Sequence, residues 1–201
     1  MRPGTYRSIR HGERGITMLE VLITIVILAF GLLGVAGLQA RLQLAEVEAY
    51  QRAQAIVLLQ EMVDRLNANR KNSIAYAGAT AGTGSLGSAV QDCTGMTGAN
   101  LDLCEWHNAL LGASEESSGG NQVGAMIGAR GCITNPTVTA VLPREFVIAV
   151  VWQGVTPTLA PTSTTCGQGA YGDDATRRAV VARVTIGCLQ NDAATGLCVT
   201  P

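Results

Sequence analysis

The chain has 201 residues, 47% apolar but only 4% aromatic and 14% charged, with a formal net charge of −1. So little charge on so apolar a chain excludes a disordered, charge-swollen protein, and the near-neutral balance excludes a broad basic face for nucleic acid. The apolar residues do not recur as several long runs, which excludes a polytopic membrane protein.

The apolar excess gathers near the N-terminus. Ile16 to Leu38 is apolar except for Thr17, Glu20 and Thr24, and Val21 to Leu38 carries no charge. As a helix this run reaches roughly 35 Å, against about 30 Å of bilayer hydrocarbon, so it reads as one membrane span. Arg2, Arg7, Arg10 and Arg14 precede it with only Glu13 opposed, a net +3. Positive flanks stay in the cytoplasm, so the remainder is expected to be exported, with a charge of −4 once the first 15 residues are removed. All six cysteines (Cys93, Cys104, Cys132, Cys166, Cys188 and Cys198) lie on the exported side, without a C-x-x-C pair, as disulfides in an oxidising compartment would. The apolar run is too long for a secretory signal, and Gly37-Leu38-Gln39-Ala40 makes a poor cleavage site. Glu20 stands inside the run, where a carboxylate near the bilayer core costs about 2.5–3.5 kcal/mol.

Arg14-Gly15-Ile16-Thr17-Met18-Leu19-Glu20-Val21-Leu22 resembles the processing site of type IV prepilins and pseudopilins. Ile16 stands where that class usually has Phe. The resemblance implies that a prepilin peptidase cuts between Gly15 and Ile16 and methylates the Ile16 amine, leaving Glu20 as the fifth mature residue. It also implies that Glu20 pairs with the terminal amine of a neighbouring subunit, since an unpaired ion in low dielectric is costly. Gly31, Gly34 and Gly37 recur every third residue, suited either to close helix approach or to local unwinding.

Helical patterning continues past Leu38. Leu42, Ala45, Ala49, Ile56, Leu59, Val63 and Leu66 form an apolar stripe with Arg52 as its exception, while Gln43, Glu46, Glu61, Asp64 and Arg65 face elsewhere. Ile16 to Arg70 would reach roughly 80 Å if unbroken. Gly31–Gln39, Ala53-Gln54-Ala55 and Glu61–Arg70 are similar to the PilV (pilus modification protein) group of minor pilins, with Leu66 replacing the usual Met.

In the head, Gly78–Asn100 and Gly112–Asn121 read as loops around a short helix near Leu101–Leu111. Arg144–Gln153 and Arg178–Leu189 alternate as strands, Thr137–Leu142 reads as a third ended by Pro143, and Gly154–Asp174 as a connection. The expected class is α+β and pilin-like: a long helix packed on a small antiparallel sheet with disulfide-tied loops. Local closure suggests Cys93–Cys104, Cys132–Cys166 and Cys188–Cys198 among fifteen possible pairings.

No chemistry emerges beside this. Cys104 and His107 have metal-ligand spacing without a second pair to complete a zinc site. Gly82 and Gly87 are spaced as in a P-loop, but Ser88 replaces its Lys. Glu115-Glu116 reads as a solvated surface, and Arg177-Arg178 is weak ground for nucleic-acid binding. Neither catalysis nor a cofactor is expected. The organisation expected is a leader at 1–15, a membrane and filament-core helix at 16–38, its amphipathic half at 39–72 and a head at 73–201. The resemblance implies a minor pilin in the bacterial inner membrane, N-terminus cytoplasmic and head periplasmic, and then in the extracellular pilus fibre. Prepilin peptidase, other minor pilins, the major pilin and the inner-membrane assembly platform would be its partners. The alternatives are a minor pseudopilin of a type II secretion system and an adhesive, ligand-binding head on a pilin anchor.

Overall fold

A computed structural model describes residues 15–82, 89–112, 126–136, 144–191 and 198–200. The backbone alone is described for 191 and 198–200. The leader before Gly15, Glu115-Glu116, the Thr137–Leu142 strand, Pro143 and the Cys198 side chain therefore lie outside the described residues. The chain divides into two compact units, one ending at Leu44 and the other beginning at Ala45.

The described part of the first unit is the start of helix α1, Met18–Ala68. Its apolar side chains are exposed, with Leu28 at 64% and Phe30 at 70%. Among the described residues, α1 is the one helix long and apolar enough to cross a membrane.

In the second unit α1 continues and buries one face, made by Gln51, Ala55, Leu58, Leu59, Met62 and Leu66. This corrects the sequence-predicted stripe. Leu59 and Leu66 are shared, but Ile56 is 49% exposed, and Ala45 and Ala49 also face outward. Apolar residues occur all round this stretch, with Val47, Tyr50 and Val57 exposed as well, so periodicity does not single out the buried face. Gln51 occupies a position that polarity alone assigns to the surface.

A 3₁₀ segment, Arg70–Tyr76, leads into strand β1, Thr80–Gly82, followed by helix α2, Ala99–Leu110, and strands β2, Ile127–Thr134, β3, Arg144–Gln153, and β4, Arg177–Ile186. These four strands form an antiparallel sheet in the order β1-β2-β3-β4. A two-stranded ladder, β5, Gln190–Asn191, with β6, Cys198–Thr200, follows. The class is α+β, as the sequence predicts. β1 lies inside the span read as loop, and β2 was not anticipated. Three residues of β1 carry too little pattern to register, and β2 is interrupted by Gly128, Ala129 and Gly131.

The sheet is covered on both sides. Phe146, Ile148, Val150 and Trp152 of β3, with Val184 and Ile186 of β4, join the buried face of α1 and Trp106 of α2 in the main core. Ala149 and Val151 point the other way and pack with Cys166 and Tyr171 from the segment between β3 and β4. That alternation is the period of a strand, with each face finding a separate cover.

The covering segments are held largely through their main chain. Arg177, 1% exposed, donates to the carbonyls of Pro161, Thr164 and Cys166 and pairs with Asp174 at 2.7 Å. The Asn108 amide meets both the N–H and the C=O of Gln91 at 2.8 Å. Tyr171 donates to the Gly128 carbonyl at 2.8 Å.

Candidate functional site

The N-terminal segment is built around the start of α1. Thr17 precedes the first helical residue, and its hydroxyl accepts from the Glu20 N–H at 3.3 Å. This is half of a Thr-x-x-Glu capping box, in which a hydroxyl satisfies an otherwise orphan amide of the first turn. The residue pattern that resembles a processing site is thus also a helix start. Gly15 and Ile16 lie just ahead of this cap, both exposed, with Ile16 at 74%. Glu20 is exposed in the first turn, has no ion-pair partner among the described residues, and bears the charge that the helix dipole favours there. Thr24, one turn on, returns its hydroxyl to the Val21 carbonyl at 2.8 Å, so it enters the apolar stretch satisfied. The helix runs on through Gly31, Gly34 and Gly37, and a methyl placed at any of them meets nothing within 4 Å.

In the head, α2 is seated by polar contacts on both flanks. Arg65 of α1 bonds Glu61 at 2.7 Å, Asp102 at 3.1 Å and Glu105 at 2.5 Å, and these carboxylates raise the pKa of its guanidinium against the opposing effect of burial. Tyr76 donates to Asp102, and burial together with that carboxylate pushes the Tyr76 phenol up to about 12. Trp106 is fully buried and donates from Nε1 to the Leu58 carbonyl at 3.0 Å. His107, also fully buried, accepts from the Gly82 N–H at Nδ1, 2.9 Å, which leaves Nε2 to donate to the Ala89 carbonyl at 3.2 Å. Its ring closes β1 against α2. Cys104, which shares metal-ligand spacing with His107, is bonded to Cys93. Among the described residues no group of three or more His, Cys, Asp or Glu side chains is placed to hold a metal ion.

Cys93–Cys104 and Cys132–Cys166 are the two disulfides fully within the described residues. The first ties the loop before α2 to that helix, and the second ties β2 to the segment covering the sheet. Cys188 is disulfide-bonded as well.

Arg65, Trp106 and Arg177 seat these elements, a role that the sequence did not assign to them: Arg65 was placed away from the apolar stripe and Arg177 only in an Arg-Arg pair. Their signals were slight: an Arg four residues after a Glu, one of two tryptophans, and an Arg-Arg pair. None of these reveals a partner without the fold.

A family model described as Type IV pilin Tt1218 matches residues 37–107, and one for the prokaryotic N-terminal methylation motif matches residues 10–36. Residues 37–107 are therefore similar to a type IV pilin segment and directly follow the match to the methylation motif. The matched span ends within α2, ahead of β2, β3 and β4. No curated protein and no solved structure gives a match.

Proposed function

We propose that the chain is the precursor of a minor pilin, cut between Gly15 and Ile16 by a prepilin peptidase, N-methylated on Ile16 and incorporated into a type IV pilus. The observation that carries this reading is the methylation motif over residues 10–36, whose Gly15–Ile16 junction stands immediately ahead of the Thr17 cap of an exposed apolar helix. Cleavage there removes the basic leader 1–15 and leaves 16–38 as the membrane and filament-core helix, 39–72 as its amphipathic half and 73–201 as the head. Before assembly the helix anchors the chain in the inner membrane with the head in the periplasm.

Cleavage creates an ammonium at Ile16 beside the positive end of the helix. Glu20 neutralises that charge on an adjacent subunit, and this pairing sets the register of stacked helices. Gly31, Gly34 and Gly37 let neighbouring helices approach. In the filament the subunit primes or supports assembly with the major pilin and other minor pilins, on the inner-membrane platform, in the manner of the PilV group.

Mass analysis of the mature N-terminus tests the reading: methylated Ile16 is expected, while a chain beginning at Met1 or near Ala40 refutes it. Deletion is expected to abolish or thin surface filaments and twitching. Loss of exoprotein secretion with filaments intact would instead assign the chain to a type II secretion pseudopilus.

A further inference from the structure

A cleft of about 340 Å³ lies between α1 and the sheet, lined by Glu48, Ala49 and Arg52 of α1, Trp152 of β3, and Arg178 and Ala179 of β4. All of these belong to the second unit. The volume stands at the small end of the range for ligand pockets, which runs from about 300 to 1,000 Å³. Its polar groups are mostly donors, and some of them are unused.

Trp152 is 3% exposed, yet its indole N–H has no acceptor among the described residues. A buried indole N–H ordinarily finds a partner, as that of Trp106 does at the Leu58 carbonyl. The Trp152 nitrogen is not sealed in apolar packing either: it still reaches open space, and the cleft is the space that Trp152 borders. Arg52 is exposed and makes neither an ion pair nor a hydrogen bond among the described residues. Arg178, by contrast, is held in place. Its Nη2 donates to Glu48 at 3.1 Å and to the Thr156 carbonyl at 2.6 Å, and its Nη1 to the Ala175 carbonyl at 3.2 Å. Gly154 makes room for it, since a Cβ there would stand 2.7 Å from the guanidinium carbon. These bonds use three of the five N–H groups of Arg178 and fix the direction of the others. Glu48 is the anchor, its Oε1 also accepting from the Thr156 hydroxyl at 3.3 Å.

We propose that this cleft binds a carboxylate. Arg52 and Arg178 against Glu48 leave the lining at +1, although the residues from Ile16 onward sum to −4. The ligand's oxygens accept from the Trp152 N–H and from Arg52, beside the fixed positive charge of Arg178. Ala49, Ala179 and the indole ring receive its apolar stem. The carboxylate belongs either to a free small acid or to an acidic side chain of another polypeptide. The site goes beyond the filament role proposed above and does not depend on it.

The chain has two tryptophans, so the full-length protein in uncharged detergent, labelled with ¹⁵N at its indoles, gives two indole N–H peaks. Trp152→Phe assigns them. A blocked Ala-Ala-Glu-Ala-Ala peptide, its Gln counterpart and butyrate are the probes. A saturable shift of the Trp152 peak is expected with the Glu peptide or with butyrate, while the Trp106 peak stays in place and shows that the fold is unchanged. A response to the peptide alone assigns the site to acidic side chains, to butyrate alone to free acids, and to both to the carboxylate itself. Arg52→Gln, at an exposed position, should weaken binding about tenfold, the loss of one charged hydrogen bond. Glu48→Gln, which keeps an acceptor for Arg178 and removes the negative charge, should tighten it. A Trp152 peak that no probe moves overturns the proposal. So does a Gln peptide as effective as the Glu peptide, an undiminished affinity in Arg52→Gln, or weaker binding in Glu48→Gln.

Discussion

Gly131→Ala is the sharpest test of how the head is packed. A Cβ at Gly131 would lie within 2.7 Å of the Trp106 ring carbons Cη2, Cζ3 and Cζ2. The indole cannot simply back away, because Trp106 is fully buried and Nε1 is held by the Leu58 carbonyl. Relief requires either shifting β2 or breaking that bond. Overpacking of this kind costs about 1–3 kcal/mol, and a lost hydrogen bond adds about 1 kcal/mol. The expected loss is therefore about 2–4 kcal/mol, or a fall in Tm of about 5–15 °C for a unit of this size. Gly187→Ala is the control, since a Cβ there meets nothing within 4 Å. Thermal unfolding of the oxidised, full-length protein in detergent should show the first variant depressed and the second within about 0.5 kcal/mol of the parent. A cycle with Trp106→Phe adds the mechanism: if the ring is the obstacle, the double variant loses less than the two single losses combined. Equal melting of Gly131→Ala and Gly187→Ala would refute the packing argument.

Glu20→Ala should leave cleavage after Gly15 largely intact while lowering recovery in sheared filaments, read by immunoblot of filament and membrane fractions; normal recovery would remove its assembly role. The hydrogen bond and charge of Arg177 hold the Asp174 carboxyl below its ordinary pKa, so its stabilisation is full above the unfolded value of about 3.9 and fades as pH falls through the lower folded value. Asp174→Asn should therefore melt earlier than the parent at neutral pH, with the gap narrowing as acid unfolding is approached. Burial pushes the Tyr171 phenol up to about 12, so its contribution is present below the ordinary value of about 10 and is lost as pH rises between the two; ultraviolet titration of the parent against Tyr171→Phe reads this directly. Cys132–Cys166 closes a span of 34 residues and Cys93–Cys104 one of 11, so removing the first pair should cost about 4 kcal/mol and the second about 3 kcal/mol in denaturant unfolding, and a reversed order would count against loop closure as the source.

Where side chains alternate or run apolar without interruption, the fold was readable from the chain. Arg144–Gln153 is recovered with its ends intact, and the face made by Val180, Ala182, Val184 and Ile186 is the one turned to the main core. The Thr17 cap was written in adjacent residues as well, but that segment was read as a processing site and the helix was taken from Ile16. What escaped was whatever depends on a distant partner. Gly131 has no side chain to signal that an indole lies against it, and Gln51 has one that points to the wrong environment. The buried face of α1 was misplaced because apolar residues surround the helix there and only the sheet selects among them. Arg177 illustrates the limit most sharply: beside Arg178 it suggested only weak ground for nucleic-acid binding, yet it is 1% exposed and its guanidinium is an internal strut.

Much of the gripping in the head is done on main-chain atoms. Arg177 takes carbonyls from residues 161–166, Asn108 takes both groups of Gln91, and Tyr171 takes the carbonyl of Gly128. A clasp on carbonyls, such as that of Arg177, does not depend on side chains that point outward from the same residues, whereas Gly128 must stay a glycine, since its φ is +61° and a Cβ would meet the Tyr171 ring at 3.2 Å. The outward residues Thr158, Thr162, Ser163 and Thr165 can consequently be exchanged without loosening the seat of the loop, which is held at its backbone.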